Sequence, residues 1–147
     1  MITVTIKNLD KFQQSVMRYP EVSVKNFNDA INRSLIQIQR DAGKLSPRDT
    51  GYLKANWELN MSFLKGVLRP LSKYAIFVHE GTKPHFPPIE AITPWARRHG
   101  IPPFLVARSI AKHGTQGIPF LQSSVSQNES FVNNNFEKAL DKTLNQL

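Results

Sequence analysis

The chain has 147 residues, 40% of them hydrophobic and 10% aromatic, which suits one compact domain with a buried core. It contains no cysteine, which excludes a disulfide framework, a thiolate nucleophile and a cysteine metal site, and fits a reducing compartment. Its formal net charge of +8 invites a polyanionic partner but does not bear on fold.

At the N-terminus Ile2, Val4 and Ile6 alternate with Thr3, Thr5 and Lys7, the period-two pattern of a half-buried strand. The stretch lacks the basic start, continuous apolar run and small-residue cleavage site of a signal peptide. No window approaches the ~18 apolar residues of a membrane span, so a soluble protein without a membrane partner is expected. Asp10 then precedes a short helical pattern with Phe12, Val16 and Tyr19 inward, stopped by Pro20. Val24, Phe27, Ile31, Leu35, Ile38, Ala42 and Leu45 follow at spacings of three and four. They predict an amphipathic helix of roughly six turns, about 33 Å long.

The breaker cluster from Ser46 to Gly51 ends that helix and changes the period. Leu53, Ala55, Trp57, Leu59, Met61 and Phe63 alternate with largely polar neighbours, predicting a strand. Lys65-Gly66 reads as a turn, Val67 to Leu71 as a short edge or terminal strand limited by Pro70, and Tyr74 to Glu80 as a third strand ending at Glu80-Gly81-Thr82. After a Pro-rich loop, Thr93 with Pro94 predicts a short helix over Trp95 to His99, closed by Gly100. A second helix is expected over Phe104 to His113, opened by Pro102-Pro103 and closed by Gly114. Beyond Pro119, Leu121, Val125, Val132, Phe136, Ala139 or Leu140, Thr143 or Leu144, and Leu147 recur at helical spacing.

The fold class expected is α+β. An antiparallel β meander of three to four strands, counting the N-terminal one, packs against a long amphipathic helix, with further helices in the C-terminal half. A single domain spans 1–147, with a helical insertion at about 90–113 and a C-terminal helix at about 119–147. Gly81-Thr82 is echoed by Gly114-Thr115, an echo too short to count as a repeat.

Chemistry is sparse. His79 and His85 lie six residues apart across an element end and a Pro loop, unlike a zinc pair one helical turn apart, so no metal site is assigned. His99 and His113 each precede a glycine at a helix end, where the helix dipole favours a cation. There is no nucleophile elbow, phosphate loop or carboxylate pair, hence no catalytic residue and no cofactor. Asp49 beside Thr50-Gly51 reads as a turn residue. Glu80 can cap the following loop, pair within the chain, or pair with a neighbouring copy. From Lys65 to Lys112 eight cations face only Glu80 and Glu90, a net +6. A solvated face explains them, and so does a nucleic-acid surface with Phe86, Trp95 and Phe104 as stacking platforms, although Trp95 and Phe104 also fit apolar stripes.

Four short pieces recur in a telling order: Ser46-Pro47-x-Asp49-Thr50-Gly51-x-Leu53, then Tyr74-Ala75-x-x-Val78-x-Glu80-Gly81-Thr82, then Gly114-Thr115-x-x-x-Pro119-Phe120-Leu121, then a C-terminal helix. In this order, across nearly the whole chain, the sequence resembles the small neck or tail-component proteins of long-tailed double-stranded-DNA bacteriophages. The segment Ile92 to Gly100 with Phe104 to Lys112 departs from the shortest members and resembles an insertion carried by a longer subgroup. The resemblance implies a structural virion protein rather than an enzyme, assembling as a homo-oligomeric ring around the DNA path at the head-to-tail junction. It implies contacts with other connector and tail proteins, and residence in host cytoplasm during assembly.

Under that resemblance Glu80, Gly81, Thr82, Pro119, Phe120 and Leu121 are the subunit-contact candidates. Lys65, Arg69, Lys83, Arg97, Arg98, Arg108 and Lys112 are candidates to face the DNA lumen or an acidic partner. Two other classes stay open: a sequence-nonspecific nucleic-acid-binding protein using residues 65–112, and a small hydrolase using His79 and Glu80.

Overall fold

The computed structural model describes residues 9–18 and 20–146. The strand expected at Ile2 to Ile6, and Tyr19, lie outside the described residues. The architecture is α+β: a long helix, two small antiparallel two-stranded sheets and several C-terminal helices.

Helix α1 spans Leu9–Arg18, and α2 spans Pro20–Leu45. Pro20 does not simply stop one helix. It opens the next, where its fixed φ suits the helix and its missing N–H loses no bond. Along α2, Phe27, Ala30, Ser34, Ile38 and Ala42 are buried, while Leu45 at the end of the expected stripe is exposed. Small and polar residues thus join the apolar line, and they set how closely the C-terminal helices approach.

Those helices are α7 (Phe120–Gln127) and α8 (Glu129–Asn145), broken at Asn128 rather than continuous. Of the alternatives left by the sequence, Ala139 and Thr143 are buried, Leu140 is half-buried and Leu144 is exposed. Phe27 stacks on Phe136 with ring centroids 6.1 Å apart. Close approach lets polar side chains bridge the layer. Ser124 Oγ donates to Ile38 O at 2.7 Å, Asn26 Nδ2 to Thr143 Oγ1 at 3.1 Å, and Asn135 Nδ2 to Ser34 Oγ at 3.1 Å. Asn128 Nδ2 reaches Asp41 Oδ2 at 3.0 Å, so the break between α7 and α8 is itself tied to α2.

The expected long strand is shorter. Tyr52–Ala55 forms one helical turn, α3, with Leu53 buried against Ala42, Ala75 and Phe120, and β1 occupies only Trp57–Ser62. Strand β2 (Lys65–Pro70) pairs with it antiparallel, Ser62 opposite Lys65 and Trp57 opposite Pro70. The turn is therefore Phe63-Leu64, not Lys65-Gly66. Gly66 is inside β2 because the hairpin lies directly on α2, and a Cβ there would overlap the side chains of Leu35 and Ile31. Pro70 ends the strand, where its missing N–H is tolerated.

The third strand of the meander is a correction. Residues Ala75–Glu80 form helix α4, not a strand. Alternation would send Ala75, Phe77 and His79 inward together. Instead Ala75 is buried and Val78 half-buried at helical spacing, while Ile76 and Phe77 face out. Alanine at the point of closest approach to Ala42 and Leu53 lets this short helix sit down on the second apolar cluster, which Phe120 completes.

Candidate interaction site

The two Gly-Thr pairs of the sequence meet in space. Gly81–Thr82 (β3) and Thr115–Gln116 (β4) pair antiparallel, Gly81 opposite Gln116 and Thr82 opposite Thr115. The two threonine hydroxyls are 2.9 Å apart, and Ile118 N donates to Val78 O at 2.8 Å. Glycine is required on both sides of this clasp. Gly81 has φ 78 and Gly114 φ 70, in the region that L side chains avoid. A Cβ on Gly81 would overlap the carbonyl oxygen of Thr115, and one on Gly114 that of Thr82.

The clasp closes a lobe that holds α5 (Ile89–Arg98) and α6 (Pro103–His113). The first begins earlier than the sequence predicts. Pro94 lies inside it, and Thr93 Oγ1, rather than capping, donates back to Ile89 O at 2.7 Å. The expected closures hold, with Gly100 and Gly114 both at positive φ. The two helices pack mainly on each other, and Ala96 and Ala107 are their buried residues. Their large apolar side chains are left outside that contact.

Some of these side chains, with part of α4, line an open groove of about 880 Å³. Its apolar walls include Phe77, Val78, Ile92, Trp95, Ile110 and Ile118, and Pro47 borders it from just beyond α2. Trp95 is 39% exposed and stacks on His99 at 4.2 Å, with His99 Nδ1 donating to Trp95 O at 2.9 Å. Lys83 and His85 are the basic lining residues. An exposed apolar surface of this kind, with a few basic groups beside it, is suited to contact.

One ion pair ties the lobe to the breaker segment. Arg98 Nε donates to Asp49 Oδ1 at 2.9 Å, and the guanidinium also reaches Asp49 Oδ2. The hydrogen bond from Arg98 holds the Asp49 carboxyl below its ordinary range, and Asp49 in turn raises the Arg98 pKa. Neither residue's role was visible in the sequence, where Asp49 read as a turn former.

The subunit-contact candidates divide. Glu80 ends α4, exposed and in no ion pair among the described residues. Gly81 and Thr82 form the clasp. Pro119 is exposed. Phe120 is 2% exposed, with its ring edge-on to Trp57 at 6.3 Å and His79 at 5.3 Å. Leu121 is half-buried and touches both apolar clusters. The Pro-Phe-Leu piece therefore anchors the chain's own second cluster through Phe120.

The cations divide too. Arg69 is held by Glu58 across the hairpin, which lowers the Glu58 pKa, and Arg98 is held by Asp49. Lys65 is exposed at the hairpin turn, next to the Gly66 that lies on Ile31 and Leu35 of α2. Lys83, Arg97, Arg108 and Lys112 are exposed on the lobe beyond the C-terminal end of α2. A run that is continuous in sequence is thus divided between the hairpin and the lobe. Phe86 and Phe104 face each other at 6.4 Å, both more than half exposed.

His79 is half-buried against Phe120, and His85 Nδ1 donates to Lys83 O at 2.9 Å. Among the described residues no three His, Cys, Asp or Glu side chains gather as a ligand set for a metal ion. Among them, too, no helix is long and apolar enough to cross a membrane. Comparisons with protein families, with curated proteins and with solved structures returned no match.

Proposed function

We propose that the chain is a structural virion protein of the head-to-tail junction of a long-tailed double-stranded-DNA phage. It is one subunit of a neck or tail-completion ring around the DNA path, joining or stabilising the tail on the capsid. The observation that carries this reading is the ordered set of motifs from Ser46 to Leu121. Their geometry supports it: the Glu80-Gly81-Thr82 corner and the Gly114-Thr115 piece are hydrogen-bonded neighbours, and the Phe120 that follows packs against His79. Motifs far apart in sequence make one device, as expected if they belong together.

In this reading the subunit works by contact, without a reaction or a cofactor. Its partners are further copies of itself and the connector and tail proteins above and below. It assembles in the host cytoplasm, and a ring of copies uses a heterologous interface closed by rotation. Deleting the gene should leave filled heads and tails unjoined in the lysate. Joined, infective particles from the deletion would overturn the reading.

A second reading has its own observation. Lys83, Arg97, Arg108 and Lys112 are exposed and form no ion pair among the described residues, as a sequence-nonspecific nucleic-acid face requires. Under it, duplex affinity falls steeply between low and physiological salt, and is lost when Arg97, Arg108 and Lys112 become serine. A flat salt response removes this reading.

A further inference from the structure

Apart from the groove, α2 borders a second hollow, of about 320 Å³, lined by Ile36, Gln39, Arg40, Gly43, Lys44 and Lys54. The five residues from α2 recur at helical spacing and so share one face, and Lys54 comes from α3. Every charged group in this lining is a cation.

Gly43 explains how the third cation reaches the hollow. Glycine inside a helix is destabilising relative to alanine, yet Gly43 is buried near the end of α2. The atom nearest the place of its missing Cβ is Lys54 Cγ, at 3.1 Å. The absent methyl makes room for the Lys54 stem to lie across the helix while its charged end stays in water.

That gathering runs against local electrostatics. Arg40 and Lys44 stand four residues apart on one helix, where like charges repel. Lys44 is answered by Asp41, whose carboxylate also accepts from Gln37 and Asn128. The acids of the segment that follows are engaged as well, Asp49 with Arg98 and Glu58 with Arg69. Arg40 and Lys54 are exposed and in no ion pair among the described residues. Arg40 Nη1 donates to a neutral acceptor, Gln37 Oε1, at 3.3 Å.

We propose that this hollow binds a phosphate group. A guanidinium fork and two ammonium groups, brought together from two elements, suit an anion that presents several oxygens and more than one negative charge. A lone carboxylate leaves part of that donor set unused. The phosphate can belong to a nucleic-acid backbone or to a small phosphorylated molecule, and the recognising chemistry is the same. None of these cations belongs to the run from Lys65 to Lys112, so the site goes beyond both readings above and depends on neither.

The test uses the full chain and nuclear magnetic resonance, with inorganic phosphate as the first probe. Saturable shifts are expected at the amides of Gly43, Lys44 and Lys54. Arg40→Gln combined with Lys54→Gln should raise the midpoint by roughly tenfold or more, as the loss of two charge-assisted hydrogen bonds implies. Lys138→Gln with Lys142→Gln makes the same change in net charge at exposed positions of α8 and should leave the midpoint in place. Gly43→Ala keeps every charge but crowds the Lys54 stem, and should weaken binding by a smaller factor. A short DNA duplex is the second probe. If it moves the same amides and the Arg40/Lys54 double variant abolishes the effect, backbone phosphate is the ligand. If inorganic phosphate alone moves them, the ligand is a small phosphorylated molecule. No saturable shift with either probe, or shifts weakened as much by the α8 variant, would overturn the site and leave the ring reading untouched.

Discussion

The layer formed by α2, α7 and α8 and the lobe closed by the β3–β4 clasp use similar residues to opposite ends. In the layer the deepest positions are modest ones, Ala30, Ser34, Ser124, Ala139 and Thr143, and the aromatic rings of Phe27 and Phe136 are enclosed. In the lobe only alanines are buried on α5 and α6, and Trp95, Phe104 and Leu105 are displayed. Small residues bring helices together in both places. What differs is where the large apolar groups go, inward in the layer and outward in the lobe.

The contrast can be broken most forcefully in the layer. Phe27→Ala removes a ring that is 1% exposed and should cost about 3–5 kcal/mol of unfolding free energy, measured by urea titration. A loss under ~1 kcal/mol would mean that the layer is not the stabilising region. Gly81→Val comes next. Positive φ alone costs about 1 kcal/mol, and the overlap with the Thr115 carbonyl adds to it. The damage should be local: amide hydrogen exchange should accelerate across residues 82–118 while α2 keeps its protection.

Asp41→Asn should have a smaller effect, about 1 kcal/mol, because the carboxylate is bonded on several sides but partly reached by solvent. The hydrogen bond from Lys44, then those from Asn128 and Gln37, hold its pKa down at about 2. The folded pKa lies below the unfolded value, so the carboxylate stabilises fully above about pH 4 and its contribution is lost as pH falls toward 2. Melting followed over that window should show wild type converging on Asp41→Asn. The smallest global effect belongs to Arg98→Ala, since an exposed ion pair contributes little. Melting should stay put while limited proteolysis within the lobe quickens. Wild type should show the same quickening as acid protonates Asp49, whose lowered pKa delays that loss below the ordinary carboxylate range.

Much of the layer was legible because a three-four spacing over α2 admits one interpretation. The limits are equally physical. Pro20 reads as a stop, yet proline is as well suited to a first helical turn. Ala75 to Glu80 is apolar and rich in β-branched residues, and periodicity over six residues does not separate strand from helix. Contact of Ala75 with Ala42 and Leu53 decided it. The hairpin was visible but its turn was misplaced by two residues, because Gly66 serves the close approach of β2 to α2 and not the turn. At the site, the two Gly-Thr pairs were noticed but not paired, since strands of two residues have no period. The groove and the Arg98–Asp49 tie arise from tertiary contacts and leave no local signature. Phe63 was assigned to the apolar face of a strand, and only the actual turn exposes it.

The central claim, that this is a ring subunit acting by contact, is tested most directly by electron microscopy of the purified protein added to the phage's other connector rings. The account predicts closed rings seated on the connector. Connectors that stay bare at every protein concentration would contradict it.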